Sequence, residues 1–138
     1  MLQGAIQVTS FDMSRLFAMI EHRRKQGGGE TGNLHRLEEE LARCDEVSSQ
    51  EVAPDVVTMN SCVLLSDVMN GNQITCTLVF PQQADASQNR ISVLAPLGTA
   101  ILGYRVGDVI DWAMPSGVRQ YKILAISYQP EAAGDYHL

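Results

Sequence analysis

The sequence predicts an α+β fold: a short N-terminal antiparallel helical hairpin followed by an antiparallel sheet packed on a short helix. Three observations carry that prediction. Apolar residues recur three and four positions apart through the first fifty residues, alternate from Asp55 onward, and change period at Pro54, which disfavours helix on its N-terminal side. With 138 residues and 45% hydrophobic composition, the chain can bury one sizeable core. The expected organisation is therefore a helical hairpin over residues 1–50 and a sheet domain over residues 51–138.

Ser10 or Asp12 is placed to cap a first helix whose apolar positions are Met13, Leu16, Phe17 and Ile20. It closes on His22, Arg23, Arg24 and Lys25, cations suited to the negative end of a helix dipole. Gly27, Gly28 and Gly29 end it, and Asn33 can cap a second helix. There Leu34, Leu37, Leu41 and Cys44 form the seam of a short coiled coil. Helices of about 15 residues are marginal alone, so each must lean on the other or on a partner. At ~1.5 Å per residue the hairpin spans only ~20 to 25 Å.

From Asp55 the pattern is β. Cys62 to Leu65 is a short apolar run, and Asn70-Gly71 signals a hairpin. Ile74, Cys76, Leu78 and Phe80 alternate with Thr75, Thr77 and Val79, predicting one inward face. After a polar loop over residues 81–90 comes ISVLAPLGTAILGYRVGDV, Ile91 to Val109. In it Ile91, Val93 and Leu94 end a strand, Pro96 starts a helix, Gly103 stops it, and Val106-Gly107-Asp108 turns into the next strand. Val109 to Met114, a Pro115-Ser116-Gly117 turn and Arg119 to Tyr128 complete about four antiparallel strands. The segment Glu131 to Leu138 has no periodicity that assigns it a role.

A net charge of −6 and a pI near 4.9 exclude a protein whose affinity comes mainly from nucleic-acid phosphates. Neither half is a basic arm, since residues 1–50 carry six basic and eight acidic groups and the remainder four and eight. Cys44, Cys62 and Cys76 form no CxxC pair and are expected as buried small hydrophobes in a reducing compartment. No run of about 18 apolar residues exists, so no membrane partner is expected and a cytoplasmic location is the default.

Chemistry-bearing patterns are sparse. Asp108 and Asp111 stand three apart on a turn and the following strand, and Asp108 is more simply a turn former. His22, His35 and His137 are scattered, with no zinc-ligand spacing, and no GxSxG or phosphate-binding loop occurs. No catalytic residue, metal or cofactor is expected. Trp112 alternates with Ile110 and Met114, as a core aromatic would, whereas Tyr104 just past Gly103 suits a surface that binds something.

The order ISVLAPLGTAILGYRVGDVIDW followed by PSGVRQYKILAI resembles the C-terminal domain of bacterial Gre transcript-cleavage factors. DVVTMNS (Asp55 to Ser61), TLVFP (Thr77 to Pro81) and YQPEAAGDY (Tyr128 to Tyr136) look like a branch of that family, the regulators of nucleoside diphosphate kinase. The likeness covers about residues 54–138, while residues 1–50 agree only in plan.

That resemblance implies an FK506-binding-protein-like (FKBP-like) C-terminal domain that docks on RNA polymerase near its secondary channel. DNA or RNA would then be met only through the polymerase complex. Gre factors hold a catalytic Mg²⁺ with acidic residues at the tip of a long hairpin. Here the tip around Gly28, Gly29 and Glu30 offers a single acid among glycines, and the hairpin is short. The implied function is a polymerase-binding regulator without cleavage activity that excludes other channel-binding factors. Ala95, Pro96, Leu97 and Gly98 are the candidate docking residues, with Tyr104 beside them; the Gre pattern usually has serine where Ala95 stands. Two other readings stay open: a peptidyl-prolyl isomerase with a pocket around Trp112, and a direct or indirect link to nucleoside diphosphate kinase.

Overall fold

A computed structural model of the chain describes residues 6–25, 31–114 and 117–138. The chain starts as a three-residue strand β1 (Gln7–Thr9) and runs directly into helix α1 (Ser10–Lys25). Thr9 caps that helix, its hydroxyl accepting from the Asp12 N–H at 3.0 Å. The expected cap at Ser10 or Asp12 is thus corrected: Ser10 is already helical, and Asp12 is buried and engaged elsewhere. Helix α2 (Thr31–Arg43) begins two residues before Asn33, which therefore is not its cap.

Leu16 and Ile20 of α1 and Leu34, Leu37 and Leu41 of α2 belong to one buried cluster, and Arg24 pairs with Glu38 between the two helices. Phe17, predicted on the inner face, is 41% exposed, because only the Asp12, Leu16, Ile20 stripe of α1 turns inward. Strand β2 (Asp45–Val47) then pairs in parallel with β1, so a short ladder ties the segment before α1 to the segment after α2. The buried leucines belong to the same cluster as Met59, Leu65, Leu78 and Ile101 of the second half. The two helices therefore bury their apolar faces partly against the sheet-bearing region, as marginal helices must.

The second half is a five-stranded sheet in the order β5-β4-β3-β7-β6. Its members are β3 (Cys62–Asp67), β4 (Gln73–Val79), β5 (Arg90–Ser92), β6 (Val109–Met114) and β7 (Gly117–Tyr128). The β3–β4 hairpin turns where Asn70-Gly71 predicts: Gly71 has φ +75°, and its N–H donates to the Asp67 carbonyl at 2.8 Å. About four antiparallel strands were expected, but β5 is a fifth and runs parallel to β4. The loop from Phe80 to Asn89, with one-turn 3₁₀ segments at Pro81–Gln83 and Ala86–Gln88, is long enough to carry the chain back for parallel pairing.

Cys76, Leu78 and Val79 are buried, Phe80 is half-buried and Ile74 is 37% exposed, so the inward alternation of β4 holds only at Cys76 and Leu78 and breaks at Val79, which was expected to face outward. Of the cysteines Cys76 alone is fully buried, and burial beside Cys62 pushes its thiol up to about 11. Cys44 and Cys62 are half-buried, which corrects the expectation of three core cysteines. The Trp112 and Met114 side chains and the Pro115-Ser116 turn lie outside the described residues.

The unassigned C-terminal segment forms a clamp. After β7, Gln129 caps the short helix α4 (Pro130–Ala133), and its side-chain amide donates to the carbonyls of Ala53 and Val56 at 2.8 and 2.7 Å. Glu131 is buried and accepts from the Thr58 hydroxyl at 2.7 Å. From the other side, Asp12 of α1 accepts from the Met59 N–H at 3.1 Å. Residues 56–61 are thus held by α1 and by the Gln129 cap and Glu131 of α4 together, through bonds between positions 47 to 73 apart in the chain.

Candidate functional site

The helix start at Pro96 is a rigid corner fixed by backbone packing. Ala95 stands in extended conformation as the N-cap of α3 (Pro96–Ile101), and Pro96 takes the first helical turn, where a missing N–H costs nothing. The Ala95 N–H donates to the Ser92 carbonyl at 3.0 Å and the Thr99 hydroxyl to the Val93 carbonyl at 2.6 Å, binding α3 to the end of β5. Gly98 permits that approach, since a Cβ there would stand 2.0 Å from the Ser92 carbonyl oxygen.

Gly103 ends the helix with φ +83° and ties three segments together. Its N–H donates to the Val57 carbonyl at 2.8 Å, and its own carbonyl accepts from the Gln7 N–H of β1 at 3.2 Å. A Cβ at Gly103 would meet the Ile6 side chain at 2.7 Å, so the start of β1 sits directly on this turn. Tyr104 follows, half-buried, its hydroxyl 3.4 Å from a Glu40 carboxylate oxygen of α2. Burial, and then the Glu40 charge, hold the phenol above its usual range. Asp108 is a turn former as expected, its carboxylate accepting from the Arg105 N–H at 2.8 Å.

The candidate docking residues separate by exposure. Pro96 is exposed, Ala95 and Tyr104 are half-buried, and Leu97 and Gly98 are buried. Leu97 and Gly98 therefore set the position of the corner from beneath, while Ala95, Pro96 and Tyr104 offer surface. The tip residues Gly28, Gly29 and Glu30 lie outside the described residues. Arg36, Glu39 and Arg43 of α2 line a shallow hollow together with Tyr104, a mixed-charge rim with no signature in sequence because it joins α2 to a loop some sixty residues later. No group of three or more His, Cys, Asp or Glu residues able to hold a metal occurs among the described residues. No helix among them is long and apolar enough to cross a membrane.

Residues 51–128 match the family model for the transcription elongation factor GreA/GreB C-terminal region. This chain belongs to the GreA/GreB family. Residues 5–47 match a second model, the Rnk N-terminus. Over its full length the chain is 47% identical to the regulator of nucleoside diphosphate kinase of Escherichia coli strain K12, whose full length is also covered. Transcription elongation factor GreA of Clostridium acetobutylicum is 36% identical over 95 residues, 69% of this chain and 60% of that one. Among solved structures, the prokaryotic transcription elongation factor GreA/GreB from Nitrosomonas europaea superposes with a TM-score of 0.75 at 37% identity, covering 89% of this chain and 99% of the other. In this chain Ala95 offers no side-chain cap to α3, and the corner is held by the Ala95 N–H to Ser92 and Thr99 N–H to Ala95 backbone bonds.

Proposed function

We propose that this chain is a regulator that binds RNA polymerase near its secondary channel and excludes other channel-binding factors without stimulating transcript cleavage. The observation that supports this reading best is the Pro96 corner in a GreA/GreB-family chain: an exposed proline on a turn that Gly98 and Thr99 hold to the sheet end. A preformed corner loses little conformational entropy on docking. In this reading the second half is an FKBP-like docking domain over residues 51–138, and residues 1–50 are a coiled-coil hairpin that reaches the channel mouth. Ala95, Pro96 and Tyr104 make the contact, with Leu97 and Gly98 setting its geometry. The tip sequence Gly28, Gly29, Glu30 supplies one carboxylate, too few to fix a Mg²⁺. The overall acidity is compatible with a protein partner, because a docking contact needs local complementarity.

Pull-down of purified chain with core RNA polymerase tests this. Retention at micromolar concentration, lost in Pro96→Asp, is expected; an aspartate suits a first helical turn, so that variant keeps α3. No retention of the unsubstituted chain, or equal retention of both proteins, would refute the reading. The name carried by the Escherichia coli relative favours a second reading, control of nucleoside diphosphate kinase. If the link is indirect, adding the purified chain to purified kinase leaves its rate unchanged.

A further inference from the structure

Helix α1, Asn60, the loop after β4 and the C-terminal segment line an open groove of ≈ 830 Å³, within the range of small-molecule sites. Its walls carry Arg15, His22, Arg23 and His137 and no acidic side chain, although acidic residues outnumber basic ones by 16 to 10 in the chain. Such local segregation of charge favours an anionic ligand.

The four groups differ in what they have to offer. Arg15 is committed to the fold: it donates to Asp12 at 2.5 Å and to the Leu138 carbonyl at 2.7 Å, and its guanidinium lies 4.0 Å from the Phe11 ring and 4.8 Å from Phe80. Arg23 is half-buried and makes no ion pair or hydrogen bond among the described residues, nor do the exposed His22 and His137. An arginine drawn partly out of water without a counter-ion carries a cost that a bound anion offsets.

The remaining walls are of two kinds. Met19 and Phe80 form an apolar side, and Gln82 and Gln83 place amides, each with donors and an acceptor, at the rim. A free phosphate or an acidic peptide would use the arginine and leave the apolar wall bare. A nucleotide uses both.

We propose that this groove binds a nucleoside polyphosphate, its phosphates held by Arg23, His22 and His137 and its base laid against Met19 and Phe80 within reach of the two glutamine amides. Arginine suits the phosphate end because its planar fork matches two phosphate oxygens at once. Since the groove is built from the hairpin on one side and the sheet loop and C-terminal segment on the other, the bound nucleotide bridges the two halves of the molecule. This goes beyond polymerase docking and stands independently of it.

The test is a fluorescence-anisotropy titration of the full chain with methylanthraniloyl-labelled ATP, competed by unlabelled ATP, pyrophosphate or polyglutamate at fixed salt. Three variants accompany it: Arg23→Ala, Met19→Ala, and Lys122→Ala as a charge control exposed on β7; thermal melts verify that each is folded. Expected are saturable binding, about tenfold or greater weakening in Arg23→Ala, and less than about twofold change in Lys122→Ala. Met19→Ala weakens ATP and leaves pyrophosphate unchanged. The proposal is overturned by absence of saturation at millimolar ATP, by equal losses in Arg23→Ala and Lys122→Ala, by pyrophosphate competing as well as ATP, or by polyglutamate competing better.

Discussion

Gly98→Ala isolates the contact that positions the Pro96 corner. Within a helix, replacing glycine by alanine ordinarily stabilises by about 0.5 to 1 kcal/mol, so propensity alone predicts a gain. The geometry predicts the reverse. The added Cβ would lie 2.0 Å from the Ser92 carbonyl oxygen, 2.9 Å from its carbon and 3.1 Å from the Val93 Cα, all backbone atoms with no rotamer to change. Reaching a normal separation near 3.5 Å requires α3 to move from β5 by roughly 1.5 Å. That displacement breaks the Ala95–Ser92 and Thr99–Val93 hydrogen bonds, each worth about 1 kcal/mol, on top of about 1 to 3 kcal/mol for overpacking. The net expectation is a loss of about 2 to 4 kcal/mol, or ~10 °C in Tm for a domain of this size. Urea unfolding followed by far-ultraviolet circular dichroism measures it. A variant as stable as the parent, or more stable, refutes the close approach and with it the idea that glycine is there to seat the corner. Gly71→Ala separates sterics from backbone conformation: nothing lies within 4 Å of its Cβ, and only its φ of +75° opposes alanine, at about 1 kcal/mol.

Three further outcomes follow from the packing. Burial raises the Asp12 carboxyl above its usual range, against the opposing Arg15 and Met59 hydrogen bonds and with the nearby Glu131 charge adding to it. The folded state therefore holds this proton more tightly than the unfolded chain does, and the contribution is complete below pH 3.8 and lost as pH rises through the folded value. Relative to Asp12→Asn, the parent should gain stability between pH 7 and pH 4.5 in urea titrations; an unchanged difference would count against it. Thr58→Val leaves the buried Glu131 carboxylate without its 2.7 Å donor and should cost about 1 to 3 kcal/mol, with faster hydrogen exchange over residues 130–134; unchanged exchange there would show that this bond does not hold α4. Cys76, buried with its thiol near 11, should resist a disulfide reagent at pH 8 while Cys44 or Cys62 reacts, as read by mass spectrometry of the labelled peptides; equal labelling of Cys76 would contradict its burial.

What was legible in the sequence was local. Asn70-Gly71, Pro96 with Gly103, and Val106-Gly107-Asp108 each encode a turn within a few residues, and the structure places a turn or helix boundary at each. The leucine spacing of α2 likewise requires only one helix to be read. Elements missed by that reading depend on partners far away in the chain. The β1–β2 pair joins residues 38 positions apart, and no three-residue strand carries enough alternation to announce itself. Thr9 escaped notice as a cap because it also ends a strand. The role of Glu131 to Leu138 rests on bonds to Thr58, Asn60 and Arg15, and no pattern within eight residues could have shown it. The candidate site divides in the same way: the Pro96 corner was visible in its own residues, whereas the groove beside Arg23 draws its walls from four separate parts of the chain.

The central claim, occupancy of the polymerase channel region without cleavage, is tested most directly by competition on a stalled elongation complex. Transcript cleavage stimulated by a GreA factor is followed while this chain is titrated in. The account predicts that the chain alone releases no fragment and that GreA-stimulated cleavage falls in proportion to the chain added, with Pro96→Asp shifting the titration to higher concentration. Cleavage that persists undiminished at saturating chain, or that the chain itself stimulates, contradicts it.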